Sequence, residues 1–147
     1  MGKKLKNIFT EGAIAPDFIS NSIANHSRKT GIGGHSIFLG QVRADVVEGD
    51  REVVAIDYTA YRDMALEKAH EIREETFEKY DLNCMHIHHS LGKVNKGEIC
   101  LFVFTSSKHR SPAVEACNEL VERIKNELPI WGRELFNDDQ SSWKVNT

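Results

Sequence analysis

Apolar residues recur along the chain in two patterns, one typical of strands and the other of helices. Alternating or short continuous apolar stretches predict strands, whereas apolar residues that return every three or four positions predict helices. The predicted strands are 5–10, 35–43, 53–58, 84–91, 98–105 and 131–136, with a short extended piece at 143–145. The predicted helices are 15–29, 61–80 and 111–128. Pro16 and Pro112 fall in the first turns of two helices, Ser111 is a candidate N-cap, and Pro129 ends the last helix.

This order of elements predicts the fold class. Helices separate pairs of strands, which indicates an α+β domain: a mixed, mainly antiparallel sheet with helices packed mostly on one face. The turn at 92–97 predicts a hairpin, and the short separation between 35–43 and 53–58 favours an antiparallel pair. Gly40, inside a strand, predicts a bulge or a close backbone approach. With 147 residues and neither repeat nor linker, the sequence predicts one domain over 1–147.

Composition excludes several classes of protein. The net charge of -3 argues against nonspecific nucleic-acid binding. No stretch approaches the ~20 apolar residues of a membrane span, and the basic segment 1–6 is not followed by the apolar run of a signal peptide. Cys84, Cys100 and Cys117 lie among apolar neighbours without a C-x-x-C spacing. We therefore expect a cytoplasmic protein with buried thiols and without structural zinc.

Two motifs suggest chemistry that the sequence does not support further. His86 and His88 lie on one face of a predicted strand, as two metal ligands would, but no third ligand is apparent nearby. Ser106, Ser107 and His109 lack both a carboxylate placed to orient the histidine and a G-x-S-x-G motif. We therefore expect ordinary strand histidines, no catalytic triad, no metal and no cofactor.

The basic residues form a more specific pattern. His109 and Arg110 lie where an apolar strand passes into a helix, a junction that directs backbone N–H groups and cations towards an anion. Arg43 closes a strand, Lys125 lies near the end of the same helix, and Arg133 follows it. Arginine and lysine are the usual phosphate ligands. The alternative is that Lys125 complements the helix C-terminus and that Arg110 is a surface charge, because spacing alone does not show that these residues converge.

Several segments occur in the order in which they are found in a known family. They are Phe38-Leu39-Gly40-Gln41-Val42-Arg43, Tyr58-Thr59-Ala60-Tyr61 with Met64-Ala65, His89-Ser90-Leu91-Gly92 with Gly97-Glu98, Thr105 to Arg110, and Lys125 with Pro129-Ile130-Trp131. In these segments the sequence resembles the large, catalytic subunit of molybdopterin synthase. The resemblance extends from about Gly33 to Val145, which is most of the chain.

The resemblance implies an α/β hammerhead fold and a homodimer within a heterotetramer. A small ubiquitin-like subunit would insert its C-terminal Gly-Gly tail, carried as a thiocarboxylate. The enzyme would transfer its sulfur to cyclic pyranopterin monophosphate and form the dithiolene of molybdopterin. Residues from both protomers would build each site. By resemblance, Lys125 is the catalytic residue, and the substrate-binding residues are Gln41, Val42, Arg43, His109, Arg110, Lys125, Arg133 and Glu134.

One departure from the family pattern leaves three alternatives open. The family usually has a lysine directly after Pro-Ile-Trp, whereas this chain has Gly132, followed by Arg133-Glu134. Arg133 could supply the missing charge, or Lys108 or Lys144 could reach the site. Otherwise the protein is a catalytically impaired dimeric partner of the small sulfur-carrier subunit. An unrelated phosphate-binding α+β domain is the remaining hypothesis.

Overall fold

A computed structural model describes residues 5–144 of the chain. Residues 1–4, which hold most of the basic N-terminal segment, and the end of the predicted piece at 143–145 lie outside the described residues. The helices are α1 (Pro16–His26), α2 (Arg62–Lys79) and α3 (Arg110–Glu127). The strands are β1 (Phe9–Glu11), β2 (Gly34–Gln41), β3 (Val46–Val47), β4 (Arg51–Ala60), β5 (Cys84–Asn95), β6 (Ile99–Ser107), β7 (Ile130–Phe136) and β8 (Ser141–Trp143).

Between residues 5 and 144 the strands form one eight-stranded sheet, whose main order is β2-β6-β5-β4-β7-β8. β1 runs parallel to β5, and the other pairs, including β3 with β4, are antiparallel. β5 pairs with β6 through its first half and with β4 through its second half. Gly92, at φ 80°, lies where β5 changes partners. The mixed, mainly antiparallel sheet predicted from the sequence is confirmed.

β6, which lies between β2 and β5, is buried on both faces, and helices pack against each of them. Leu101 and Val103 face a core that also contains Ile72 of α2 and Leu120 of α3. Phe102 and Phe104 point the other way and pack with residues of the α1 region, including Ile19. Two helices therefore cover one face and α1 covers the other. Within the described residues, no helix is long and apolar enough to cross a membrane.

Glycines allow a close approach at the start of β2. A Cβ atom on Gly33 would overlap the carbonyl oxygen of Lys108, and one on Gly34 would lie 3.2 Å from the Cα atom of Arg110. These two glycines therefore let β2 pass directly beneath the turn that begins α3. Further along β2, the register of the pair with β6 shifts between Gly40 and Gln41, which confirms the predicted bulge.

The predicted pairing of strands 35–43 and 53–58 was wrong. β6 and β5 lie between β2 and β4, because β2 pairs along its length with β6, a strand far away in the sequence, rather than with the next long strand. β3 was missed inside a predicted loop. β1 is shorter than predicted and begins at Phe9, and the predicted turn at Gly92 is part of β5.

The apolar spacing of the helices predicts which residues are buried, and the structure agrees except at the edges of each face. The predicted faces are Met64, Ala65, Ala69, Ile72, Thr76, Phe77 and Tyr80 in the second helix, and Val114, Cys117, Leu120, Val121, Ile124 and Leu128 in the third. Ala65, Ala69, Ile72 and Thr76 of α2 are buried, but Met64 is 61% exposed. In α3 Val114 is 53% exposed, and Ala113 and Ala116 are buried instead. The N-cap of α3 is His109 rather than Ser111, and it makes no side-chain capping bond.

Candidate active site

A cavity opens where the bulged end of β2, the middle of β4 and β7, and the C-terminal turn of α3 meet. Its walls come from segments that are far apart in sequence. The lining residues are Gly40, Gln41, Arg43, Asp45, Ile56, Tyr58, His89, Cys100, Leu101, Ile124, Lys125, Ile130, Gly132, Glu134 and Lys144. The bulge at Gly40–Gln41 turns the chain after β2 towards the cavity, and α3 brings its last turn to the same place.

Three cationic and two anionic side chains line this cavity. Arg43, Lys125 and Lys144 supply the positive charges, and Asp45 and Glu134 supply the negative charges. The Arg43 guanidinium donates a hydrogen bond of 3.2 Å to the Asp45 carboxylate, and its side chain remains 66% exposed. The excess of cations makes the cavity suited to an anion.

The floor of the cavity is polar but buried. The Tyr58 hydroxyl and the Cys100 thiol share a hydrogen bond, and burial raises the pKa of both groups. The Cys100 thiol also donates to the carbonyl oxygen of Gly40 at 3.5 Å. His89 packs edge-on against the Tyr58 ring, with centroids 5.1 Å apart, and burial lowers its pKa. These three side chains are therefore uncharged near neutral pH, and the charges at the rim dominate the field in the cavity.

Gly132 and Lys144 occupy one corner of this cavity. Gly132 lies opposite Tyr58 in the β4–β7 pair, and a Cβ atom there would lie 2.8 Å from the Cγ2 atom of Ile56. The backbone N–H of Lys144 donates to the carbonyl oxygen of Gly132 at 2.8 Å. A lysine side chain therefore enters the cavity from the segment after β8, next to the strand position that has no side chain.

Arg133 points away from the cavity. Alternate residues of a strand face opposite sides, so Gly132 and Glu134 line the cavity and Arg133 does not. The Arg133 guanidinium instead donates to the Asp57 carboxylate at 3.3 Å, with 45% of its side chain exposed. Of the three cations that could replace the expected lysine, only Lys144 lines the cavity among the residues the structure describes.

Val42 supports the site through its backbone. It is only 1% exposed, its N–H donates to the Glu98 carbonyl at 3.0 Å, and its own carbonyl accepts from the Gly97 N–H at 2.8 Å. These bonds fasten the segment between Gln41 and Arg43 to the β5–β6 turn.

His109 and Arg110 form a second basic group at the other end of α3. Both are exposed, and the Ser107 hydroxyl donates a hydrogen bond to the His109 carbonyl. Lys125 follows Arg110 by four helical turns, which is about 22 Å at 1.5 Å per residue. Within one chain the predicted substrate ligands therefore lie in two places: Gln41, Arg43, Lys125 and Glu134 at the cavity, and His109 and Arg110 at the helix start.

Sequence reasoning missed the floor of the cavity. Tyr58 and His89 lie in segments that carry the family resemblance, but nothing in their spacing assigns them to the site. Cys100 was expected only to be a buried thiol, which its 8% exposure confirms. The apolar neighbours of Cys100 gave the only signal, and they indicate burial rather than a place in a cavity.

Comparison with known proteins gives a consistent result. The family model described as "MoaE protein" matches residues 13–127. A molybdopterin synthase catalytic subunit from Pyrococcus abyssi is 36% identical over 108 residues, which are 74% of this chain and 72% of that protein. The catalytic subunit from Aspergillus fumigatus is 36% identical over 121 residues, which are 82% of this chain and 63% of that protein.

The chain spans less than two thirds of the length of several of these relatives, including the Aspergillus fumigatus protein. The match to the Drosophila willistoni catalytic subunit, 37% identical over 118 residues, spans 79% of this chain but 31% of that protein. Among solved structures, molybdopterin synthase from Staphylococcus aureus superposes with a TM-score of 0.78 at 26% identity. That superposition covers 97% of this chain and 100% of the other.

Proposed function

Because the chain belongs to the MoaE family, we propose that it is the catalytic subunit of a molybdopterin synthase. It transfers sulfur from the thiocarboxylated Gly-Gly terminus of a small ubiquitin-like subunit to cyclic pyranopterin monophosphate and forms the molybdopterin dithiolene. The observation that carries the proposal is the cavity, where Arg43 and Lys125 lie around one space. We also propose that one domain does this in the cytoplasm, as a homodimer within a heterotetramer.

The residues around the cavity suit both substrates. A cyclic phosphate and a thiocarboxylate are both anions, and three cationic side chains face the space that they would share. Arg43 can bind a phosphate with two parallel N–H···O bonds, with Gln41 and Glu134 holding polar groups beside it. Lys125 stabilises the negative charge that develops as sulfur adds and the phosphate ring opens, or moves a proton there. The glycine tail suits a narrow groove, since its backbone passes where side chains cannot.

Of the three cations that the sequence offered for this role, Arg133, Lys108 and Lys144, we assign it to Lys144. It lines the cavity beside Gly132, whereas Arg133 is bonded to Asp57 on the opposite face of β7. Lys144→Ala should therefore raise KM for the pterin with a smaller effect on kcat, and Arg133→Ala should leave both near the wild-type values. The reverse result would assign the charge to Arg133.

His109 and Arg110 bind substrate at the cavity of the second protomer. Their separation from Lys125 along α3 prevents them from reaching the cavity of their own chain. In a two-fold dimer, the start of one α3 can meet the cavity of the other chain. Each complete site would then combine Arg43, Lys125 and Lys144 of one chain with His109 and Arg110 of the other.

The direct test measures sulfur transfer. The protein is incubated with thiocarboxylated small subunit and cyclic pyranopterin monophosphate, and molybdopterin is detected as its oxidised fluorescent derivative. Lys125→Ala should abolish nearly all product, while Lys79→Ala, which replaces an exposed α2 lysine outside the cavity, should not. If the wild-type protein forms no product but still binds the small subunit, the impaired-partner alternative holds.

A mixing experiment tests whether the site is shared between protomers. Arg110→Ala and Lys125→Ala dimers should each be inactive alone. When the two variants are co-expressed, half of the dimers are mixed, and one site in each mixed dimer receives both native residues. About a quarter of wild-type activity should return by this random-pairing count, in accord with two-fold symmetry. If both residues served the same chain's site, no activity would return.

A further inference from the structure

We propose that His26, Cys84 and His86 form a binding site for one copper(I) ion between α1 and the sheet. The donor atoms of the three side chains lie within 4.8 Å of one another. None of the three lines the cavity described above, so the site is separate from the proposed sulfur transfer. The sequence pointed only to the strand pair His86 and His88, and it missed the ligands that α1 and the start of β5 supply.

The two imidazoles already face each other through the atoms that would bind the ion. The Nε2 atoms of His26 and His86 are 3.0 Å apart. Donor atoms around a three-coordinate ion, with bonds of about 2.0–2.3 Å, lie roughly 3.5–4.0 Å apart. Only a small opening of the pair is therefore needed to admit a metal, and Cys84 lies two residues before His86 on the same face of β5.

The tautomer of His26 is fixed in the form that a metal requires. Its Nδ1 atom lies 2.7 Å from the carbonyl oxygen of Ser22, which can only accept a hydrogen bond, so Nδ1 carries the proton. The lone pair of Nε2 therefore points at His86. A backbone carbonyl that orients a histidine in this way is the usual partner of a metal-bound imidazole. The ring is also held by stacking on Phe104, with centroids 4.7 Å apart.

The other two ligands are also suited to coordination. The Nε2 atom of His86 faces the same space as that of His26, and the His86 ring lies edge-on to Phe104, with centroids 6.2 Å apart. The Lys29 ammonium donates a hydrogen bond to the Cys84 sulfur at 2.9 Å. Cys84 is only 6% exposed, whereas His86 is half-buried and gives an ion a route from solvent.

The surrounding charges select a monovalent ion. The bound ligand set would carry one negative charge, because cysteine binds a metal as a thiolate and an imidazole binds it in the neutral form. Lys29 is in contact with the sulfur, and the charges of Lys6 and Arg73 act on His86. Copper(I) makes the site neutral, whereas zinc(II) would leave a net positive charge among three cations. Thiolate and imidazole are also soft ligands of the type that binds copper(I).

Binding involves no oxidation or reduction. Three metal–ligand bonds form, and a proton on the sulfur, where one is present, passes to solvent. The His86 proton moves from Nε2 to Nδ1 by exchange with water, which frees Nε2 for the metal. Lys29 can keep its N–H···S contact with the bound thiolate.

An anaerobic competition titration tests the proposal. The purified full-length protein is added to the coloured copper(I) complex of bicinchoninic acid, and the loss of absorbance gives the copper withdrawn per chain. The wild-type protein should withdraw one copper, and Cys84→Ser and His86→Gln should each withdraw none. His88→Gln, two residues along the same strand, and Cys117→Ala, at another buried thiol, should each still withdraw one. Circular dichroism confirms that each variant is folded.

Each contrary result would overturn part of the inference. No copper withdrawn by the wild-type protein removes the site, and unchanged binding by folded Cys84→Ser and His86→Gln moves it elsewhere. Displacement of the copper by an equal concentration of zinc(II) contradicts the charge argument. X-ray absorption of the copper-loaded wild-type protein should show one sulfur and two imidazole neighbours.

Discussion

Replacing Gly132 with alanine should destabilise the protein, although alanine normally favours folding over glycine. A Cβ atom at this position would lie 2.8 Å from the Cγ2 atom of Ile56 and 3.1 Å from the Cε1 atom of Tyr58. Carbon atoms pack at about 3.5–4.0 Å, so the new methyl group would be about 0.7 Å too close to Ile56. Gly132 therefore allows β7 to pack closely against Ile56 and Tyr58, and it also lines the cavity.

The strand cannot move away to relieve this contact. β7 is bonded to β4 on one side, and on the other the Gly132 carbonyl accepts from the Lys144 N–H at 2.8 Å. Ile56 is 4% exposed and packs among buried residues such as Val53 and Phe136. Overpacking of this kind costs about 1–3 kcal/mol, and the smaller entropy of the unfolded alanine chain offsets about 0.4–1 kcal/mol. We expect a net loss of about 1–2 kcal/mol, or roughly 2–8 °C in Tm for a chain of this size.

Thermal and urea unfolding at a fixed protein concentration measure this loss. Gly31→Ala is the matched control, because a Cβ atom there meets nothing within 4 Å and the backbone is outside the left-handed region. It should leave stability unchanged or raise it by about 0.4–1 kcal/mol. Ile56→Leu removes the Cγ2 atom, so Gly132→Ala should be less harmful in that background. Equal stability of Gly132→Ala and Gly31→Ala would refute the packing argument.

Three further predictions concern stability. Burial lowers the pKa of His89 below its ordinary 6.5, so the unfolded chain binds more protons; stability should fall as pH drops below about 6.5, and His89→Gln should flatten that slope in urea titrations. The Arg123 guanidinium lowers the pKa of Glu127 below its ordinary 4.5, so Glu127→Gln should lower Tm at pH 7, and the difference should vanish as pH falls through the folded pKa of Glu127. The buried Thr105 hydroxyl donates to the Ala113 carbonyl at 2.7 Å, so Thr105→Val should cost about 1–3 kcal/mol in chemical unfolding, while Thr105→Ser should lose less.

The elements of this fold could be predicted because their periodicity is local. The α2 stripe through Ala65, Ala69 and Ile72 repeats every three or four residues, and its burial follows from that spacing alone. Strand neighbours could not be predicted in the same way. β2 pairs with β6 rather than with the next long strand, β4, and that choice depends on contacts between segments far apart in sequence, which no local pattern shows. β3 consists of two exposed valines and is too short to show an alternation of apolar and polar residues.

In the candidate site, too, some residues could be predicted from the sequence and others depend on strand pairing. Arg43 and Lys125 were nominated by the family resemblance, and the structure brings both to one cavity. Which way Arg133 faces was not predictable, because it depends on the register of β7 against β4. A shift of one residue would have exchanged Arg133 with Gly132 and Glu134 at the cavity. Lys144 follows a three-residue strand with no motif, so the sequence offers it only as one of three candidate cations, and the pairing of β8 with β7 brings it to the cavity.

This pairing also explains how the site can keep its charge without a lysine at position 132. Adjacent strands lie about 4.8 Å apart, so a side chain from the segment beside β7 can occupy space that a side chain on β7 would otherwise fill. The Lys144 N–H is bonded to the Gly132 carbonyl, and both residues line the cavity. The close contacts of Gly132 with Ile56 and Tyr58 leave no room for a Cβ atom, so a lysine could not be restored there without repacking β4. Gly132→Lys should therefore unfold more easily than the wild-type protein and should not gain activity, whereas a gain of activity would mean that the wild-type site lacks a cation.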